Sequence, residues 1–403
     1  MSSINQEKPR SSGVLVHPTS LPGSPVCGSF GEPSRNWINF LSDNGIGVWQ
    51  FLPLSPTDKT GSPYSSPSSF ALNPFFLDVN DLVEEGFIIA DSKEALPGED
   101  VLNNSSVDFF LADIRSTKLG KLLRNNWSNQ SKARNLEFNE WCISQFWLED
   151  HANFMQLRRQ FNDLPWWKWP DSFAKYDVVS LMEWRKNNED NLLEHKLLQW
   201  HLYRQWLKIK HLANNLGVVL FGDMPFYVAT DSADVWSKRS LFSINEIGKL
   251  EIQSGVPPDY FSETGQLWGT PVYSWKEHYI DNFEWWRSRF KRHWEQVDIL
   301  RLDHFRALKA YWAVKGDDNT AQRGQWIDSP GQHLLRLLQI DFKGNLPLIA
   351  EDLGVIDESV ESLRDEFKLP GMKILQFAFD NNKDNPYLPE NINGNNWVVY
   401  TGT

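Results

Sequence analysis

The stretch DILRLDH, residues 298–304, decides the fold because it predicts a short buried strand that ends in chemically active side chains. Its nearly continuous apolar residues are typical of a strand covered on both faces in a parallel sheet. Asp303 and His304 come where that strand ends. Similar runs, each followed by a polar or Pro-rich cluster, occur at residues 13–17, 47–52, 217–221, 346–350, 372–377 and 397–400.

Helical patterns lie between these strands. Residues 33–44 carry apolar side chains one helical turn apart and are followed by Gly45, a typical helix end, while Asp357 is placed to cap another helix. The repeated order of strand and helix predicts an α/β fold, a TIM-type (β/α)₈ barrel. A doubly wound sheet has the same order, but no G-x-G-x-x-G follows the first strand, so nothing supports dinucleotide binding.

One long gap interrupts the barrel pattern. Roughly 160 residues separate the second strand from the third, far more than a βα loop needs. We therefore expect barrel strands one and two in residues 1–56, an inserted, mainly helical subdomain in 57–212, and strands three to seven in 213–403. Tryptophans at helical spacing in the insertion are expected to lie mostly in its core: Trp166, Trp167, Trp169, Trp184, Trp200 and Trp206.

Composition excludes several classes of function. The 403 residues carry a net charge of -12, which disfavours nucleic acid and anionic membranes as partners. The N-terminus has no apolar signal segment, and no window approaches the roughly 18 apolar residues of a membrane-spanning helix. We therefore expect a cytoplasmic protein. Cys27 and Cys142 are too few for a disulfide framework, and no histidine cluster has the spacing of a zinc site.

Carboxylates follow several of the predicted strands: Asp223, Asp303 and Glu351. In a barrel the chemistry lies at the C-terminal ends of the strands, where two carboxyls on adjacent strands can approach the roughly 5 to 5.5 Å used by retaining glycosidases. Arg301 lies on the same side of its strand as Asp303. Its guanidinium would therefore keep Asp303 ionised, as a nucleophile must be. Glu351 would need a less polar environment to stay protonated, as an acid that donates a proton to the leaving oxygen must be. The alternative is a set of structural salt bridges and caps.

A segment rich in Gly, Pro and aromatic residues, 254–271, predicts an active-site loop that extends to about residue 275. Exposed Tyr260, Phe261 and Trp268 would stack on sugar rings, which have an apolar face and a polar rim. Asp259 and Gln266 could bind the hydroxyls. The alternative is a loop folded onto its own core.

Taken together, these stretches resemble the amylomaltases, also called disproportionating enzymes or 4-α-glucanotransferases, of the α-amylase-like clan. The resemblance covers nearly the whole chain in order, and the 254–271 segment is its most specific part. The other matching stretches are HPTSLPG at 17–23, GSPY at 61–64 with NP at 73–74, GDMPFYV at 222–228, RLDHFR at 301–306 and AEDLG at 350–354.

The resemblance implies a retaining transfer of α-1,4-glucan segments to the 4-hydroxyl of another glucan, without a cofactor or a metal. Malto-oligosaccharides, amylose or glycogen chains would be the partners. Position by position, Asp303 corresponds to the nucleophile and Glu351 to the acid/base. The positions that correspond to glucan-binding or orienting residues are Tyr64, Asp223, Asp259, Gln266, Trp268, Arg301 and His304.

The family also uses a third carboxylate, in a His-Asp pair that follows the strand ending here at residues 400–403. The sequence stops before that pair and before an eighth strand, so we expect a C-terminally truncated chain. Two alternatives to the transferase therefore stay open at this point. One is a non-catalytic glucan-binding fragment, and the other is an α-glucan hydrolase, which the carboxylate pair alone would permit.

Overall fold

The computed structural model describes residues 10–93, 96–98, 106–258 and 262–402. Its strands are β1 (Gly13–Leu15), β2 (Val48–Gln50), β3 (Val219–Met224), β4 (Ile252–Val256), β5 (Gln266–Pro271), β6 (Ile299–Leu302), β7 (Ala310–Lys315), β8 (Gly324–Asp328), β9 (Leu348–Ala350), β10 (Gly371–Ile374) and β11 (Trp397–Tyr400). Its helices are α1 (Glu32–Asp43), α2 (Val79–Glu84), α3 (Ala90–Lys93), α4 (Phe109–Trp127), α5 (Lys132–Ser144), α6 (Leu148–Gln160), α7 (Asp171–Ala174), α8 (Val178–Lys186), α9 (Glu189–Asn215), α10 (Ala233–Ser237), α11 (Trp275–Ile280), α12 (Glu284–Gln296), α13 (Gly331–Asp341) and α14 (Glu358–Glu366).

Parallel pairing builds the barrel. Strands β1, β2, β3, β6 and β9 lie side by side in that order, and β10 pairs in parallel with β11. The backbone N–H of Ala350 donates to the carbonyl of Pro370 at 2.8 Å, which joins β9 to the chain entering β10. Each of these strands overlaps a run that the sequence marked as a strand. The fold is the TIM-type α/β barrel fold, so the residues that follow the strands meet at one end.

A second sheet replaces part of the predicted loop. Strands β5, β4, β7 and β8 form an antiparallel sheet in that order, so the prediction of a loop over 254–275 is wrong for both β4 and β5. The Gly and Pro content of the segment predicted a loop. Gly255 instead allows β4 and β5 to approach closely. A Cβ at Gly255 would lie 2.3 Å from the carbonyl oxygen of Gln266. Gln266 and Trp268 therefore project from a strand.

Between β2 and β3, the described residues form helices α2 to α9 with their connections. Helix α9 continues to Asn215 and packs on the barrel through Trp206, whose ring centroid lies 6.2 Å from that of Trp49 and 5.3 Å from that of Phe51. The indole N–H of Trp206 donates to the Gln296 carbonyl at 2.8 Å. The insertion and the barrel thus share one core. In the described part of the chain, no helix combines the length and apolarity needed to cross a membrane.

The tryptophans of the insertion lie mostly in this core, as their spacing indicates. Trp167 is only partly buried, and it packs against the core from its edge. The fully or almost fully buried members are Trp166, Trp169, Trp184, Trp200 and Trp206.

A buried ion pair connects β9, β10 and α14. Asp352, which follows β9 by two residues, accepts from the Arg364 guanidinium at 2.5 Å and from the backbone N–H of Met372 at 2.7 Å. Both charged side chains are less than a tenth exposed, at 8% and 4%. Asp352 therefore forms a structural salt bridge, which is the alternative considered above for carboxylates that follow strands.

We predict that Asp352→Ala destabilises the fold by about 3 to 5 kcal/mol, because it removes the buried carboxylate from the Arg364 guanidinium and leaves that guanidinium only an exposed partner. Denaturant unfolding measures this free energy. The matched control is Asp365→Ala, since Asp365 pairs with the same arginine at 2.9 Å but its side chain is 62% exposed. The control should cost less than about 1 kcal/mol. Equal losses in the two variants would contradict the assignment.

Candidate active site

Three strand ends bring the predicted carboxylates together. Asp223 lies in β3 opposite Arg301 of β6, and Asp303 and Glu351 directly follow β6 and β9. The backbone N–H of Asp303 donates to Met224 at 3.0 Å, and that of Glu351 donates to Leu302 at 3.2 Å. The pairing of neighbouring strands therefore fixes all three carboxylates at the C-terminal end of the barrel.

Arg301 forms the centre of an ionic network. Its guanidinium contacts Oδ1 of Asp223 at 2.7 Å and Oδ1 of Asp303 at 2.8 Å. The hydroxyl of Tyr64 donates to Oδ2 of Asp223 at 2.6 Å, so both oxygens of Asp223 are bonded within the protein. Burial raises the pKa of Asp223, against the attraction of Arg301. Burial also acts to lower the pKa of Arg301, but the surrounding carboxylates outweigh it and raise that pKa.

The two carboxyls proposed for chemistry have different environments. One third of the Asp303 side chain is exposed, and the guanidinium of Arg301 holds one of its oxygens. Burial, followed by the negative charge of Asp303, raises the pKa of Glu351 to about 7. Two backbone N–H groups oppose that rise: His304 donates to Oε2 at 2.8 Å and Leu353 donates to Oε1 at 3.1 Å. Glu351 is consequently poised between its protonated and ionised forms near neutral pH.

Aromatic rings form one side of the site. The rings of Trp268 and His304 meet edge to face with centroids 4.9 Å apart. Trp268 remains 38% exposed, and its indole N–H lies 3.4 Å from the side-chain oxygen of Gln266. Burial lowers the pKa of His304 to about 4, so the imidazole is neutral at neutral pH. Strand β5 thus carries an exposed aromatic surface to the carboxylates.

Three of the predicted sugar-contacting residues, Asp259, Tyr260 and Phe261, lie outside the described residues. Conversely, Tyr227 was not among the predicted site residues, but its ring lies 5.9 Å from that of Trp268 and 6.2 Å from that of His304, between centroids. A buried aromatic residue just after a strand is typical of the hydrophobic core. Its place within GDMPFYV, in the same stretch as Asp223, was the available signal.

A second contact missed from the sequence crosses the barrel. The hydroxyl of Tyr400, at the end of β11, donates to the side-chain oxygen of Gln50 in β2 at 2.9 Å. Burial is the main cause that raises the pKa of Tyr400 to about 12, and Asp223 also raises it. These two polar side chains therefore pair close enough to the ionic network for Asp223 and Arg301 to influence Tyr400.

An α/β barrel with an arginine-paired carboxylate and a second carboxyl of raised pKa on neighbouring strands has the equipment of a retaining glycoside-processing enzyme. The family model for 4-alpha-glucanotransferase matches residues 16–403. The chain belongs to this family.

Individual relatives agree with the family assignment. The chain is 42% identical to the 4-alpha-glucanotransferase of Synechocystis sp. over 397 residues, which cover 98% of this chain and 78% of the relative. It is 40% identical to that of Thermus thermophilus over 400 residues, with the same coverage of 98% and 78%. Among solved structures, the amylomaltase from Streptococcus agalactiae in complex with acarbose superposes with a TM-score of 0.91 at 33% identity, covering 98% of this chain and 79% of that one.

We predict that the Glu351 carboxyl titrates near pH 7 in carbon NMR, where its signal is assigned by its loss in Glu351→Gln. Asp303→Asn should lower that pKa, because it removes the negative charge that disfavours ionisation of Glu351. Burial, the larger cause, stays in place, so the pKa should remain above that of an ordinary glutamate. Asp171→Asn, which changes an exposed carboxyl at the start of α7, should leave the titration unchanged. An ordinary acidic pKa in the unaltered chain would contradict this electrostatic description.

Proposed function

We propose that this chain transfers α-1,4-glucan segments to the 4-hydroxyl of an acceptor glucan or glucose by retaining double displacement. The observation that carries the proposal is the difference between neighbouring carboxyls: the guanidinium of Arg301 lies 2.8 Å from Asp303, whereas burial raises the pKa of Glu351 to about 7. A nucleophile must be ionised, and an acid that later acts as a base works best when its pKa lies near the working pH. Membership of the 4-alpha-glucanotransferase family supports the same reaction.

In the first displacement, protonated Glu351 gives its proton to the glycosidic oxygen of the donor. An oxygen of Asp303 forms a bond to the anomeric carbon as the bond to the leaving oxygen breaks. The leaving sugar keeps that electron pair and the proton, and the rest of the donor is held as a covalent ester on Asp303. The negative charge of Asp303 is consumed in this step, which removes the main electrostatic reason for Glu351 to hold its proton.

In the second displacement, ionised Glu351 takes the proton from the 4-hydroxyl of the acceptor. The acceptor oxygen forms the new bond to the anomeric carbon, and Asp303 leaves as a carboxylate. Two inversions retain the α configuration. One α-1,4 bond is broken and one is made, so the reaction needs no cofactor or metal.

The other site residues are assigned supporting roles. Arg301 holds Asp303, and Asp223 together with Tyr64 holds Arg301 through bonds of 2.6 to 2.7 Å. Trp268 offers an exposed ring for stacking on a sugar. The remaining proposed glucan contacts are Asp259, Tyr260, Phe261, Gln266 and His304.

The proposed partners are malto-oligosaccharides and longer α-1,4-glucans. A net charge of -12 supports a neutral polymer over nucleic acids or anionic membranes. The proposal also places the reaction in the cytoplasm, as expected from the sequence.

We predict that incubation with maltotriose yields a ladder of longer oligosaccharides together with glucose, because a transferase passes glucosyl segments to other sugars. Asp303→Asn and Glu351→Gln should each lower the rate on the order of 10³-fold or more. The matched controls, Asp171→Asn and Glu366→Gln, change exposed carboxyls and should keep full activity. Chromatography of the products separates the outcomes. Exclusively shorter products would indicate a hydrolase, and binding without turnover would indicate a glucan-binding module; either contradicts the proposal.

We predict that Trp268→Ala raises glucose release relative to transfer by several-fold. Removing the ring weakens acceptor stacking and admits water to the glycosyl intermediate. The matched control is Trp326→Ala, since Trp326 lies in β8 of the same antiparallel sheet and is likewise 38% exposed. The measurement is the ratio of free glucose to transfer products. A ratio that stays flat, or that rises equally in the control, would contradict the role of Trp268.

A further inference from the structure

His304 has an unusual backbone conformation at a decisive place. Its φ of 51° and ψ of 49° are left-handed, a region uncommon for residues other than glycine. This conformation begins the short 3₁₀ turn Phe305–Leu308 and directs the His304 N–H to Oε2 of Glu351 at 2.8 Å. The backbone conformation of His304 therefore sets the direction of one of the two N–H groups that donate to Glu351, the proposed acid/base.

Packing holds the His304 ring in place. In the described part of the chain, the buried Nε2 of His304 has no hydrogen-bond partner. The ring instead meets Trp268 edge to face at 4.9 Å and Tyr227 at 6.2 Å, and these two rings lie 5.9 Å from each other, all between centroids. Three mutually contacting rings thus restrict the side chain whose backbone points at Glu351.

Tyr227 is the fixed member of this trio. Its ring stacks on that of Tyr273 at 6.1 Å with an interplanar angle of 11°, and it is only 7% exposed. The preceding carbonyl, of Phe226, accepts from the Tyr273 hydroxyl at 2.6 Å and from Arg289 at 2.9 Å. The Tyr227 hydroxyl is buried and has no hydrogen-bond partner among the described residues. The ring of Tyr227, rather than its hydroxyl, therefore makes the useful contacts.

We propose that Tyr227 is a positioning residue for the acid/base step: its ring, together with Trp268, holds His304 in the left-handed conformation that keeps the His304 N–H on the Glu351 carboxyl. This inference rests on the role proposed above for Glu351. Tyr227 itself acts through His304, so it is not a catalytic residue.

The other groups that face Glu351 approach from different elements. Arg301 belongs to β6 and Asp303 directly follows it, while Leu353, with its N–H, follows β9. Tyr387, in the segment after β10, has a pKa that burial raises most and that the charges of Asp352 and Glu351 raise further. A substitution at Tyr227 leaves all of these groups in the chain and changes the support of His304.

The test uses Tyr227→Ala and Tyr227→Leu, with Tyr227→Phe as the conservative variant. Loss of the His304 N–H removes a bond that favours the ionised carboxyl, so the Glu351 titration seen by carbon NMR should move up by about one pH unit in the first two variants. The alkaline limb of kcat/KM on maltotriose should move up with it. Tyr227→Phe should retain the original titration, since the ring is kept. If Tyr227→Ala does not fold, Tyr227→Leu carries the test.

A matched structural control is Trp184→Ala, because Trp184 is 8% exposed in the insertion and also lies in an aromatic cluster. It should lower stability without moving the Glu351 titration. Folded Tyr227→Ala or Tyr227→Leu with an unmoved titration would overturn the inference, and so would an upward shift in Tyr227→Phe. The NMR readout does not require turnover: a shift in a chain that forms no ladder would support the positioning role while refuting the proposed function.

Discussion

The contact between Arg301 and its two aspartates is the interaction on which the site depends. A buried guanidinium is costly unless charged partners satisfy it, and Asp223 and Asp303 meet that requirement at 2.7 and 2.8 Å. The arginine can make both contacts because β3 and β6 are paired in register, with Asp223 opposite Arg301. The pairing of the barrel strands thereby places the positive charge of Arg301 against Asp303, the proposed nucleophile.

The same contact gives the two neighbouring carboxyls different environments. Arg301 lies directly on Asp303, whereas burial dominates at Glu351 and the charge of Asp303 adds to its effect. The charge of Asp303 thus helps to define the protonation of Glu351. Esterification of Asp303 would remove one unit of negative charge next to Glu351, so the proposed intermediate itself prepares the acid to act as a base.

Local patterns were sufficient to predict the barrel strands and the carboxylates that follow them, because buried parallel strands have continuous apolar runs and polar residues at their ends. They did not predict the antiparallel sheet, because β4 pairs with β7 more than fifty residues further along and glycine-rich segments resemble loops. The left-handed conformation of His304 could not be predicted from local sequence either, since it depends on rings supplied by β5 and by the segment after β3. The tryptophan content likewise did not distinguish core residues from exposed ones. Most of the insertion's tryptophans lie in the core, while Trp268 is exposed.

The hydrogen bond from Tyr400 to Gln50 has a consequence for the order in which the chain folds. Its partners are separated by 350 positions in sequence, so the bond closes a loop that includes nearly the whole chain. Contacts of such long range form late, because the entropy of loop closure must be overcome before they stabilise anything. During synthesis, β1 and β2 emerge long before β11 and must persist without this partner. The bond between Tyr400 and Gln50 therefore forms only after β11 has reached β2.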